Sequence, residues 1–303
     1  MKIIAFFNEK GGVGKSTFTV MYSGWLKYKY GVKVGVADYN SRLTDYRKDE
    51  MRAMEQAGIL DNSILENAWP IMSVDRKAVA SYGQNNPGFA LWLEQIIRKG
   101  EFKDMDVVLV DLPGSVSGRE LIHLVTYKMV NLVLIPFDKE QQAISAALSV
   151  KNFLRKVPDC RYCGFFNMVQ TAYGRKEDYV SIMEIMERQK LRILPDMISF
   201  SERMKNFGKI DLMRSTFSYP DWNRPDFKGS RDLGIENLFI DITKEVMKTP
   251  DFRGTAKADL SFVDNLKKDT ELQSKNRQLN GTSFPEYEIP LEDELKLKFG
   301  KNR

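Results

Sequence analysis

The chain predicts a doubly wound α/β fold, a mostly parallel sheet with helices on both faces, and three observations carry that prediction. Short apolar runs recur along the sequence, most of them are followed by an amphipathic helical pattern, and the runs are continuous rather than alternating. Continuous apolar strands require cover on both faces, which is how helices pack on a parallel sheet. The strand candidates are residues 3–7, 32–37, 107–110, 132–135, 162–166 and 191–194. Between them lie helical patterns at 16–30, 89–99, 118–129, 141–156, 177–189 and 235–247.

Composition narrows the class. The 303 residues are 43% apolar and 29% charged, enough to bury a substantial core. Two cysteines make no disulfide framework, and one histidine, His123, excludes a multi-histidine metal site. His123 lies in the pattern Leu121-Ile122-His123-Leu124-Val125, which places it in helix packing or on a helix surface. The N-terminal apolar run is too short for a secretory signal and nothing reaches the roughly 18 apolar residues of a membrane span, so a cytoplasmic protein is expected. The 46 Lys and Arg against 41 Asp and Glu give a net charge of +5, which permits affinity for polyanions without indicating it.

Composition changes near Pro250: residues 249–303 hold 10 basic, 10 acidic and 16 apolar residues in 55. The expected organisation is therefore one domain over 1–248 and a polar C-terminal appendage over 249–303, peripheral or partly disordered, with short helices. One helix is expected near 261–273, followed by a loop with Asn280-Gly281, Pro285 and Pro290.

The strongest chemical signal is Glu9-Lys10-Gly11-Gly12-Val13-Gly14-Lys15-Ser16-Thr17, between an apolar strand and a helix. Glycines there let backbone N–H groups converge on phosphate oxygens, and the helix N-terminus adds its positive end. In this loop residues 11–17 are expected to bind the nucleotide: Lys15 would contact the β and γ phosphates, Ser16 would ligate Mg²⁺, and Thr17 would bond the α-phosphate.

The string from Lys10 to Thr17 resembles the deviant phosphate loop of the ParA/MinD family of ATPases. Membership implies ATP and Mg²⁺ as cofactors, and implies that Lys10 crosses an ATP-sandwiched homodimer to the partner's phosphates. Further landmarks agree in order. Val34-Gly35-Val36-Ala37-Asp38-Tyr39-Asn40 resembles the second-strand motif that usually ends Asp-x-Asp, and Asp106-Val107-Val108-Leu109-Val110-Asp111-Leu112-Pro113-Gly114 resembles the Walker B strand and its turn. On that match Asp111 and Asp38 hold Mg²⁺ through water, and Gly114 brings a backbone amide near the γ-phosphate. Val133-Leu134-Ile135-Pro136 with Glu140, and the segment from Ile193 to Glu202, resemble later family segments. The resemblance spans about residues 1–248, is weak over 47–100, and leaves the tail outside.

Asn40 departs from the pattern: a neutral amide orients water but is no base. Either hydrolysis is slowed, or Asn40 keeps the water in place and turnover is ordinary for slow switch ATPases. The adenine candidates are Asn167, which can equally cap the turn after its strand, and Pro195, Asp196 and Met197.

The resemblance implies an ATPase of a ParA-type DNA partition or mobile-element maintenance system, cytoplasmic and nucleoid-associated, whose hydrolysis a ParB-like or transfer-associated protein stimulates. The phosphate loop begins at residue 10, so no N-terminal helix-turn-helix is expected, and short members bind DNA nonspecifically as ATP dimers through scattered cations. The carriers here are Arg203, Lys205, Lys209, Arg214, Arg224, Lys228 and Arg231, although interspersed acids allow a merely solvated face. Two other classes stay open. A MinD-like membrane-positioning ATPase would use Leu291, Leu295 and Phe299, but acidic residues interrupt that helix. An Mrp-type iron–sulfur carrier would use Cys160 and Cys163, whose CxxC lies before and inside its strand rather than after it.

Overall fold

A computed structural model describes residues 1–39, 41–74, 88–112, 114, 119–157, 159–167, 176–195, 215–219 and 235–263. Six strands form one all-parallel sheet: β1 (Lys2–Phe6), β2 (Val34–Asp38), β3 (Ile71–Ser73), β4 (Val107–Asp111), β5 (Leu132–Phe137) and β6 (Arg161–Phe166), in the order β3-β2-β4-β1-β5-β6. Helices α1 (Lys15–Gly24), α2 (Arg42–Gln56), α3 (Asn62–Asn67), α4 (Gly88–Lys99), α5 (Arg119–Thr126), α6 (Gln141–Leu154), α7 (Lys176–Arg188) and α8 (Ile235–Met247) alternate with the strands or follow them. Strands β1, β2, β4 and β5 are buried along their whole length, as expected of strands covered on both faces.

The two faces have different cores. Phe6, Phe18, Tyr22, Trp25, Phe165 and Phe239 form an aromatic cluster under α1 and α8, with Phe18 edge-on to Phe165 at 4.8 Å. Inside it the Tyr22 hydroxyl meets Thr243 Oγ1 at 2.8 Å. The second core is largely aliphatic and joins Leu93, Val108, Val110, Leu124, Val133 and Ala147.

Sheet order creates the site. β1 is central, with β4 on one side and β5 on the other; the chain leaves β1 toward β2, whereas β4 connects across β1 to β5. At such a switch point adjacent loops part and leave a crevice at the strand C-termini. The loops after Phe6, Asp111 and Phe137 therefore converge.

Four differences from the sequence reading have physical causes. The helix expected over 16–30 is α1 followed by a wider π turn, Trp25–Lys29, which lets the adjacent Trp25 and Leu26 both be fully buried. The run 191–194 makes only a single bridge, Ile193 to Gly164, because Lys190 in the left-handed region (φ 61°) and Pro195, which has no N–H, bracket it. Helices α2 and α3 and strand β3 had no distinct signal: α2 buries only Leu43, Tyr46, Glu50 and Met54. Finally, the first compact unit runs from Met1 to Ser261 and the second from Phe262 to Arg303, so residues 249–261 belong with the ATPase body. Phe252 and Leu260 are buried there, and Phe252 N donates to Met1 O at 2.9 Å.

Candidate nucleotide site

The loop after β1 is shaped by two left-handed glycines, Gly12 (φ 79°) and Gly14 (φ 91°), a conformation that side chains with a Cβ rarely adopt. Gly14 is doubly constrained, since a Cβ there would lie 2.6 Å from Asn167 Nδ2. Helix α1 then starts at Lys15, with Phe18 N donating to Gly14 O at 2.9 Å. N–H groups at the open end of this helix form an anion seat.

Asn8, absent from the sequence reading, anchors the loop. It is fully buried; its Nδ2 donates to Pro136 O (2.9 Å) and Ala143 O (3.3 Å), and its Oδ1 accepts from Lys10 N (2.9 Å). Its signal lay only in its position, the first polar residue after β1.

Lys15 Nζ donates to Asn8 O at 2.9 Å and Lys10 O at 3.0 Å. Burial lowers its pKa to about 8 and the Arg42 charge pushes the same way, while Asp111 opposes both. Gly114 lies against this lysine: a Cβ would sit 2.8 Å from Lys15 Nζ and 2.9 Å from Glu9 O, so the Walker B turn can approach the phosphate loop only with glycine there.

Asp111 ends β4 and faces Asp38 in the β2–β4 register. Its Oδ2 accepts from Ser16 Oγ at 2.8 Å, whereas its Oδ1 is buried without a hydrogen-bond partner. Burial raises the Asp111 carboxyl to about 7; the Asp38 charge adds to this, against the Ser16 hydrogen bond and the charges of Lys15 and Arg42. A hydroxyl and a carboxylate with one orphaned oxygen beside an anion seat are donors suited to Mg²⁺. Asp38 is fully buried, and its Oδ2 caps the start of α2 by accepting from Leu43 N and Thr44 N, each at 2.9 Å.

Lys10 stands at the rim of the loop, with Nζ bonded to Glu140 and 3.3 Å from Asp138 Oδ2. Burial would lower its pKa, but the Glu140 hydrogen bond and the Asp138 charge outweigh it and hold the ammonium above its ordinary value. Asp138 was not singled out from sequence.

Asn167 lies just past β6, as expected, but its Nδ2 donates to Val13 O at 2.9 Å and so clamps the phosphate loop. Pro195 is exposed next to the bridge residue Ile193. Asn40, Asp196, Met197 and all seven DNA candidates, Arg203 to Arg231, lie outside the described residues. Cys163 is buried in β6 and Cys160 is partly buried just before it; burial pushes both thiols up to about 12. Among the described residues no group of three or more His, Cys, Asp or Glu could hold a metal. His123 is half-buried on α5. No helix among the described residues is long and apolar enough to cross a membrane.

The ParA family model, described as the NUBPL iron-transfer P-loop NTPase, matches residues 1–247. The chain belongs to the ParA family of P-loop NTPases. As a family member it is an ATPase that works with ATP and Mg²⁺. No curated protein sequence matches it significantly. Among solved structures, it is similar to the MinD cell division protein of Aquifex aeolicus, at 19% identity over 80% of this chain and 98% of that one, with a TM-score of 0.55. A plasmid partition protein of Borrelia burgdorferi B31 bound to AMPPNP aligns at 20% identity over 80% and 98% of the two chains, TM-score 0.54. The Mg-ADP complex of MinD from Pyrococcus horikoshii OT3 aligns at 18% identity over 80% and 96%, TM-score 0.52. These likenesses establish a shared fold.

Proposed function

We propose that this ParA-family ATPase is the switch of a DNA partition or mobile-element maintenance system. Bound ATP·Mg²⁺ favours a sandwich homodimer that binds DNA nonspecifically on the nucleoid, and hydrolysis, stimulated by a ParB-like or transfer-associated partner, releases it. The observation that carries this reading is Lys10. It sits at the loop rim, held by side-chain pairs to Asp138 and Glu140 rather than built into the core. The Asp138 pair is largely buried, but Glu140 is exposed and its pair contributes little, so a facing triphosphate can compete for Lys10. The γ-phosphate thereby stabilises the dimer more than the monomer, which is what a nucleotide switch requires. Adenine falls to Asn167 and the segment Pro195, Asp196 and Met197, and DNA to the cations from Arg203 to Arg231.

Iron–sulfur carriage fits less well, since a cluster takes thiolates and both cysteines here are held protonated by burial. The test is DNA binding at moderate salt by wild type and Lys10→Ala, with ATP, ADP or neither. Wild type should bind DNA with ATP only, and Lys10→Ala should lose that dependence while still binding nucleotide. DNA binding by wild type that ignores ATP would sink the switch reading.

A further inference from the structure

Asn8 is fully buried just past β1, and its side chain bonds in two directions. On one side Nδ2 donates to Pro136 O at 2.9 Å, in β5, and to Ala143 O at 3.3 Å, in the first turn of α6. Only the NH₂ end of the amide can meet two carbonyls, so Oδ1 is turned toward the phosphate loop, where it accepts from Lys10 N at 2.9 Å. A side-chain oxygen bonded to the N–H two residues on is an Asx turn, and it fixes the backbone of residues 8–10.

Several parts of the nucleotide site rest on that short stretch of backbone. Its carbonyls hold Lys15 Nζ, Asn8 O at 2.9 Å and Lys10 O at 3.0 Å. Gly114, past the end of β4, packs against it, since a Cβ there would lie 2.9 Å from Glu9 O and 3.0 Å from Lys10 C. The exposed glycines Gly11 and Gly12 continue from it, and because Asn8 engages the Lys10 N–H, the amides that can turn on a phosphate begin at Gly11. We propose that Asn8 is a positioning residue for the ATPase. It acts through its neighbours: by holding residues 8–10 it places Lys15 and the start of the amide nest, and so sets the affinity for the β-phosphate that ADP and ATP share. An aspartate at this place would turn a carboxylate oxygen on two carbonyls, and an apolar residue would leave Lys10 N without its acceptor.

The test compares full-length wild type, Asn8→Ser and Asn8→Ala by thermal melts and by fluorescence titration with labelled ADP and labelled AMPPNP in the presence of Mg²⁺. Serine keeps an oxygen able to accept from the N–H two residues on and alanine does not, while both lose the amide that ties the loop to β5 and α6. Both variants should therefore melt below wild type by similar amounts. Only Asn8→Ala should weaken nucleotide, about tenfold and by the same factor for ADP and AMPPNP, with Asn8→Ser within about threefold of wild type. Affinity that falls alike in both variants, in step with the melting temperature, or that falls in neither, would overturn the proposal. If Asn8→Ala does not fold, residue-resolved hydrogen exchange on the wild type decides: the Lys10 amide should be protected before nucleotide is added, and those of Gly11 and Gly12 only afterwards. A Lys10 amide that exchanges freely in the ligand-free protein would equally overturn it. Because the readout is nucleotide affinity, its failure leaves the DNA switch to be decided by DNA binding.

Discussion

In the ligand-free protein burial pushes two residues of the site, Asp111 and Lys15, toward their uncharged forms. With a folded pKa near 7 against an ordinary value of 3.8, Asp111 holds its proton longer in the folded than in the unfolded chain. Stability therefore declines as pH rises from about 4 to 7, and the full penalty persists above that window. Lys15 runs the other way: its folded pKa near 8 lies below 10.5, so its penalty is complete below pH 8 and lifts as pH rises from 8 toward 10.5. Asp111→Asn keeps an acceptor for Ser16 and removes the buried charge. Ligand-free, it should melt a few degrees higher than wild type at pH 8, with a gain that shrinks toward pH 5, while losing the Mg²⁺-dependent part of nucleotide binding. Thermal melts at the two pH values decide this; a lower melting temperature at pH 8 would show that the carboxylate is not destabilising. The same residue explains why the site is built this way, since a cation seated at the orphaned oxygen turns the penalty into binding energy.

At the scale of elements, α2 does more than cover the sheet. Its start is capped by Asp38, and its third turn carries Glu50, which is buried and ties down residues 215–219. Glu50 accepts from the Ser215 hydroxyl, from Thr216 N at 2.9 Å and from Thr216 Oγ1 at 2.7 Å. Arg47, one turn earlier, donates to Thr216 O at 3.1 Å and sits 4.4 Å from the Trp69 ring centroid and 5.2 Å from that of Phe217. Removing the carboxylate leaves a buried N–H and two hydroxyls without their acceptor. Glu50→Ala should cost about 2–4 kcal/mol, read as a lowered urea midpoint, and Glu50→Gln should cost less because an acceptor oxygen remains. A change under about 0.5 kcal/mol for Glu50→Ala would mean the tie contributes nothing. None of this was legible beforehand: α2 has few apolar residues to mark a period, and Glu50 meets its partners across 165 and 166 residues. The phosphate loop was legible because its function resides in contiguous backbone, glycines and the next two side chains. Asn8 and Asp138 were not, because their roles depend on β5 lying beside β1.

Over the whole molecule, residues 249–261 form a strap across the N-terminal end of the sheet. The Met1 ammonium pairs with Asp251 at 2.9 Å, Lys2 Nζ bonds Thr249 O, and Asp259 N donates to Asp106 Oδ1 at 2.8 Å. Burial of Phe252 and Leu260 contributes about 3–6 kcal/mol. A chain ending at residue 247 should lose several kcal/mol in urea unfolding against the full-length protein or fail to fold. Equal stability of the two would refute the strap. Charge has the same geography: residues 249–303 are balanced, 10 basic against 10 acidic, so the excess of +5 lies wholly on residues 1–248, and a dimer would double it on one particle.

What the sequence determined by itself was whatever is encoded in contiguous residues: five of the six strands, most of the helices, the phosphate loop, and the carboxylates Asp38 and Asp111 at strand ends. Periodicity and glycine placement act over a few residues, so they can be read without knowing the fold. Only the tertiary structure decided that Asn8 anchors the loop, that Lys10 rests on Asp138 and Glu140, and that residues 249–261 pack against the N-terminal strand ends. Each depends on strand order and crossover, which bring together groups separated by up to 255 residues, a distance over which no local pattern carries information.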